Sequence, residues 1–215
     1  MDEVVRLARP VPADMWNFPD GARNYCAVTF DDGFTSVVDN ALPELESRHI
    51  PSTVFVPSGN LGKNPGWIQN TASPAGQQIV LSADQLVALK KFQLVTIGSH
   101  SVSHPNFLKL DSAQASQELT QSKVDLEQVL VRTVNLFSFP YGAYDERIVA
   151  MAKAAGYHRV FTIDSSSSQG APDSFVVGRV PADPDDWMVE FRLKLLGAYR
   201  WLALGRSRKK SFNAA

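Results

Sequence analysis

Two adjacent carboxylates, Asp31 and Asp32, and two histidines four positions apart, His100 and His104, are the residues of this chain best suited to chemistry. The acids end the run Y-C-A-V-T-F-D-D-G-F-T, Tyr25 to Thr35, where an apolar stretch suited to a buried strand meets charge. Neighbouring carboxylates repel each other unless a cation lies close, so one can bind a metal while the other handles protons. Histidines at this spacing share one turn of a helix-like backbone, which lets both imidazoles face a single ion. Taken one at a time, the segments also have plainer readings: D-D-G as a loop after a strand, and the histidines as hydrogen-bonding loop residues. Their shared placement argues for chemistry. Each set directly follows a predicted strand, and in parallel α/β folds the ligand crevice lies beyond the carboxyl ends of the strands.

The elements that must position these groups alternate between strand and helix. Strands are predicted over Cys26–Phe30, Thr53–Val56, Leu94–Ile97, Val134–Phe139, Tyr157–Ile163 and Phe175–Val180. Between them, apolar spacing predicts a helix over Val37–Ser47, with Pro43 marking a kink or an early boundary. Ser82 caps a second helix whose Leu86, Val87 and Leu89 face inward. The clearest helix is Asp111–Arg132, with Asp111 at its N-cap and Leu119, Val124, Leu126, Val129 and Leu130 as its apolar stripe. A shorter one, Asp145–Ala155, is closed by Gly156. Gly33 permits the turn after the acids, and Pro140-Tyr141-Gly142 forms another rigid turn at the same rim. The stretch Pro57–Gln78 has no period and is rich in Gly, Pro, Asn and Ser. It reads either as a flap over a substrate or as a surface excursion held by Trp67. His49 reads as a solvated or capping residue.

At 215 residues and 44% apolar content, a single α/β domain with a substantial core is the default. A net charge of −1 offers no global attraction to nucleic acid. The lone cysteine, Cys26, has no internal disulfide partner and reads as a small core residue. Residues 1–24 read as an irregular arm packed on the domain and anchored by Trp16 and Phe18; the domain itself covers 25–200, and a basic tail covers 201–215. The amino terminus carries acids where an export signal needs positive charge, and no segment has the roughly 18 apolar residues of a spanning helix. The expectation is a cytoplasmic protein. The tail from Tyr199 mixes bulky apolar and basic residues, and its stretch Arg200 to Lys210 offers a peripheral contact with an anionic inner membrane.

Read in order, T-F-D-D-G, S-H-S-V-S-H-P and F-S-F-P-Y-G, each after a strand, resemble the motifs of the polysaccharide deacetylases of the NodB-homology family, carbohydrate esterase family four. The resemblance spans roughly Cys26 to Val180 and implies a distorted (β/α) barrel with fewer than eight units. It also implies metal-dependent removal of acetyl groups from sugars, with Asp31 as catalytic base and Asp32, His100 and His104 as ligands of one divalent ion, Zn²⁺ by preference. Pro140, Tyr141 and Gly142 would line the sugar groove, with the Tyr141 backbone N–H directed at the reaction centre. Two features depart from the family pattern. Many relatives carry in the third motif an arginine that orients the base, where this chain has Ser138, and the later Asp/Trp and Leu-x-His motifs that supply an acid are missing. The F-x-F/Y-P-Y-G form resembles a branch acting on bacterial exopolysaccharides, whose acid comes from elsewhere. A metal-containing sugar-binding protein without turnover, or an O-acetyl esterase, therefore stands beside N-deacetylation as a reading.

Overall fold

The structure, a computed structural model, describes residues 1–15, 24–164 and 174–198. The chain opens with helix α1 (Asp2–Leu7) and strand β1 (Arg9–Pro10), which pairs in parallel with β2 (Tyr25–Cys26). The main sheet then runs β3 (Val28–Phe30), β4 (Ser52–Val56), β5 (Val95–Ser99), β6 (Leu136–Ser138), β7 (Arg159–Thr162) and β8 (Val176–Gly178). Its strands are parallel and lie in chain order, curling into an incomplete barrel. Helices α2 (Leu42–Ser47), α3 (Ala83–Leu89), α4 (Ser112–Leu130) and α5 (Glu146–Ala154) are the crossovers, and α6 (Met188–Leu195) follows the last strand. This is the distorted barrel that the sequence resemblance implies.

Alternation along the strands divides the core in two. Val54 and Val56 of β4, with Phe137 of β6, pack outward against Leu86 of α3, Leu119 and Leu126 of α4 and Ile148 of α5. Phe55, Leu136 and Phe161 point the other way and fill the barrel with Ala13 from the amino-terminal segment. Arg159, at the start of β7, donates to the carbonyls of Ala13 and Met15 and so fastens that segment across the bottom. Gly98 on β5 makes room for the interior: a Cβ there would lie 2.5 Å from the Phe55 ring.

Several elements differ from the sequence reading. The predicted strand Cys26–Phe30 is divided at Ala27, its first part pairing with β1 and its second opening the main sheet. Residues 1–15 are not an irregular arm, because α1 is pinned by Arg192 of α6 bonding Glu3, and by Arg48 bonding Asp2. Val87 and Val124, expected to face inward, are 44% exposed; helix phase gives the inner positions to Leu86 and Leu89, and to Leu119, Ser122 and Leu126. Val37–Ala41 winds as a π-helix that runs directly into α2, with Pro43 in the first turn of α2. Cys26 is half-buried and packs against the small core cluster of Val4, Leu45 and Ile50. Trp16, Phe18, the serine run before Gly170 and the chain from Tyr199 lie outside the described residues. Among those described, no helix is long and apolar enough to cross a membrane.

Because the Phe55 ring occupies the space beside Gly98, Gly98→Ala must displace it. The substitution is expected to destabilise the protein by about 1–3 kcal/mol. Urea unfolding measures this as a lowered midpoint at unchanged slope; an unaltered midpoint would mean that the barrel interior yields freely.

Candidate active site

All three motifs end at one rim. Asp31 and Asp32 follow β3, the segment Ser99–His104 leaves β5, and Pro140–Gly142 leaves β6. The chain abandons extended geometry immediately after Asp31: Asp32 takes φ 67° and Gly33 φ 60°, so the two acids diverge.

Asp32 turns to the histidines. Its Oδ1 lies 3.6 Å from His100 Nε2 and 3.1 Å from His104 Nε2. All three ligand atoms lie within 4.8 Å of one another, with both rings buried. Donors about 2.0–2.1 Å from a tetrahedral ion sit about 3.3 Å apart, so this spacing fits a zinc-sized cation. Asp32 Oδ1 is also buried without a hydrogen-bond partner among the described residues, an unfavourable state for a carboxylate oxygen that a cation would relieve. His100 is prepared for ligation. Its Nδ1 donates to the Ser138 carbonyl at 2.8 Å, which places the proton on that nitrogen and frees the Nε2 lone pair. Burial holds its pKa below the ordinary imidazole value despite Asp31, so the ring is neutral.

The histidines do not share a helical turn, as their spacing suggested. Ser101 and His104 both have left-handed backbones, φ 69° and 59°. Side chains hold this unfavourable path. Ser99 Oγ accepts from the Ser101 N–H and Ser101 Oγ from the His104 N–H. From α4, Glu118 accepts from the N–H groups of Val102 and Ser103 and from the Ser103 hydroxyl, at 2.8, 3.0 and 2.6 Å.

Asp31 turns to a residue that the sequence reading missed. Arg179, directly after β8, grips it with two hydrogen bonds, Nη1 to Oδ1 at 2.8 Å and Nη2 to Oδ2 at 2.7 Å. The same guanidinium donates to Thr29 Oγ1 and Ser138 Oγ, and it lies over the rings of Phe55 and Phe161. Thus the arginine absent from position 138 is present in space, reaching across from the last strand, and the small Ser138 accepts one of its hydrogen bonds. The signal available in the sequence was V-V-G-R, a charge directly after a strand, as at Asp31. Burial pushes the Asp31 carboxyl up, but the Arg179 guanidinium, by hydrogen bond and charge, together with Ser138, holds the group below the usual carboxylate value.

The third turn completes the site. Tyr141 has φ 58°, and its ring meets that of His104 edge-on at 4.7 Å. The residue is 54% exposed, and burial with the charge of Asp32 raises its pKa, so the phenol stays protonated. The Tyr141 N–H donates to no described residue. Gly142 is required behind it, since φ is 63° and a Cβ would fall 2.4 Å from Ile163. Pro140 is buried beneath the turn. On the far side of His104, Trp67 from the long Pro57–Gln78 segment stacks on the imidazole at 4.3 Å, with Phe34 behind it.

A family model described as polysaccharide deacetylase matches residues 19–160. The chain belongs to that family. It is 26% identical over 166 residues to the poly-β-1,6-N-acetyl-D-glucosamine N-deacetylase of Staphylococcus epidermidis, covering 74% of this chain and 54% of that protein. The protein of the same name from Staphylococcus aureus strain MRSA252 is 22% identical over 161 residues, again covering 74% of this chain and 54% of its own length. The chain thus spans about half the length of these curated relatives. In fold it is similar to IcaB from Ammonifex degensii, with a TM-score of 0.72 at 23% identity over 90% of this chain and 85% of that one. The deacetylase PplD from Streptococcus pyogenes superposes with a TM-score of 0.66 at 19% identity, covering 90% and 77%.

The Asp31–Arg179 pair makes a testable contribution to stability. Replacing the guanidinium strands a mostly buried carboxylate, so Arg179→Met is expected to lose about 3–5 kcal/mol near neutral pH. Since the folded pKa of Asp31 is depressed, its stabilisation is present above the unfolded value and fades as pH falls through the folded one. Denaturant unfolding of both metal-free proteins should show a gap that narrows below about pH 4. A gap independent of pH would remove the ion pair as its source.

Proposed function

We propose that this chain is a metal-dependent hydrolase that removes acetyl groups from N-acetylated amino sugars in a polysaccharide or glycan precursor. The observation that carries this reading is the division of the adjacent acids: Asp32 joins two buried imidazoles, while Asp31 is held beside them by Arg179. Asp32, His100 and His104 would hold a single divalent ion, Zn²⁺ from the donor set of one oxygen and two nitrogens; when bound it polarises an acetyl carbonyl and acidifies water.

The chain's own groups supply the rest. Asp31, kept ionised and fixed in direction by the arginine fork, takes the proton of the attacking water and passes it to the sugar nitrogen as the carbon–nitrogen bond breaks, releasing acetate and the free amine. The Tyr141 N–H donates to the carbonyl oxygen as it gains charge in the tetrahedral state. The exposed Tyr141 ring and the Pro140-Tyr141-Gly142 turn form one wall of the sugar groove, and Trp67 flanks the other side of His104. Relatives named as N-deacetylases of poly-β-1,6-N-acetyl-D-glucosamine support an N-acetylhexosamine substrate. The competing reading, a sugar-binding protein without turnover, drew support from the arginine missing at position 138 and from the missing acid motifs. Arg179 answers the first of these, because pure binding does not need an oriented base.

Acetate release from a panel of N- and O-acetylated glycans, with and without added Zn²⁺, tests the activity and separates amide from ester substrates. Asp31→Asn should retain metal and lose activity by about 10² or more, as expected for removal of a general base. Asp32→Asn should instead arrive metal-depleted and recover in part with excess Zn²⁺. His104→Ala should also lose metal by elemental analysis. An Asp31→Asn variant as active as the parent would end the base assignment and return the sugar-binding reading.

A further inference from the structure

The two histidines of the candidate metal site are held by different means. His100 has the usual support, a hydrogen bond from its second ring nitrogen to the Ser138 carbonyl. His104 has none: its Nδ1 is buried and has no hydrogen-bond partner among the described residues. The bonds from Glu118, Ser101 and Ser99 fix the backbone of its loop but not the plane of its ring. Rotation about the ring torsion of a histidine is soft, and a ligand ring needs a restraint on it.

The restraint present is aromatic. Trp67 lies nearly parallel to the imidazole, 15° between planes at 4.3 Å, and Tyr141 meets it at 78° from another side. Trp67 is backed in turn by Phe34, at the same 15° and 6.5 Å. The stacked partner comes from Pro57–Gln78, a segment whose first residues are anchored by the Gly59 N–H donating to the Val102 carbonyl and the Lys63 carbonyl accepting from the Val80 N–H.

We propose that Trp67 is a positioning residue for the metal site: its stacking on His104 takes the place of the missing hydrogen bond and couples the order of Pro57–Gln78 to metal affinity. This rests on the metal reading given above. The coupling is reciprocal, so an ordered segment raises zinc affinity and bound zinc steadies the segment by the same factor.

Competition against a chromophoric zinc chelator measures the first half. Trp67→Leu, which keeps an apolar side chain but no ring, should bind Zn²⁺ about tenfold more weakly, the lower end of the effect of losing a ligand's support. Trp67→Phe keeps a ring to stack and should restore most of the affinity. Amide hydrogen exchange on the unaltered protein measures the second half: Zn²⁺ should slow exchange around Trp67, and in Trp67→Leu that slowing should vanish. A merely structural tryptophan would lower thermal stability without a zinc-dependent change in exchange. Parental zinc affinity in Trp67→Leu overturns the proposal, as does exchange near Trp67 that ignores zinc in the unaltered protein, a result that needs no variant to fold. If the unaltered protein binds no zinc, the metal reading falls with it; if it binds zinc and Trp67→Leu binds it equally, only this proposal falls.

Discussion

A single guanidinium joins the two ends of an unclosed sheet. β3 and β8 are the edges of the barrel and do not pair with each other. Arg179, leaving β8, reaches Thr29 and Asp31 on the β3 side, Ser138 at the end of β6 and the Thr162 carbonyl at the end of β7. Its planar face rests over Phe55 and Phe161, so the cation is drawn out of water and depends on its carboxylate. Only 15% of the Arg179 side chain and 29% of that of Asp31 are exposed, enough burial to make loss of either partner costly. Architecture and chemistry meet here. The group proposed as the base is also one half of the clasp across the open side of the barrel.

The same rim concentrates unfavourable backbone. Of the non-glycine residues with left-handed φ among those described, Asp32, Ser101, His104 and Tyr141 all belong to the site. Such conformations cost of order 1–3 kcal/mol each and persist only where their surroundings enforce them. For Ser101 and His104 the enforcement is visible in Glu118, Ser99 and Ser101, whose oxygens accept the N–H groups that the loop would otherwise leave unbonded. For Asp32 it is the turn at Gly33, whose α-carbon is packed so closely on Val56 that a Cβ would stand 2.9 Å from a methyl group. The bends separate what a continuous strand would present in alternation. They send Asp32 to the imidazoles and leave Asp31 to the arginine.

What the sequence made legible was local. Strand ends followed by charge located Asp31, Asp32, His100 and His104 at one rim, because that rule depends only on parallel topology. The caps at Ser82 and Asp111 were legible for the same reason: Gln85 and Gln114, three residues on, complete capping boxes within one turn. What escaped depends on distant partners. α1 has only six residues and is held by ion pairs to α2's end and to α6, which no local pattern encodes. Val87 and Val124 are apolar residues at positions where helix phase faces solvent, so residue type misled where geometry decides. Arg179 escaped because its partner lies 148 positions away and the family pattern placed the arginine elsewhere.

That displacement explains why Ser138 is not a defect. A side chain at the end of β6 and one after β8 both reach the space above Phe55 and Phe161, but one guanidinium fills it. With Arg179 supplying the cation from the far edge, a second arginine at 138 would set like charge against like charge over one carboxylate. Serine suits the position better. It accepts from Arg179 through its hydroxyl and from His100 through its carbonyl, so one small residue connects the group that holds the base to a ligand of the proposed metal. A missing motif residue therefore says little about function until the space it would occupy has been examined: what the proposed reaction requires is a cation against Asp31, and which strand contributes it is free to change.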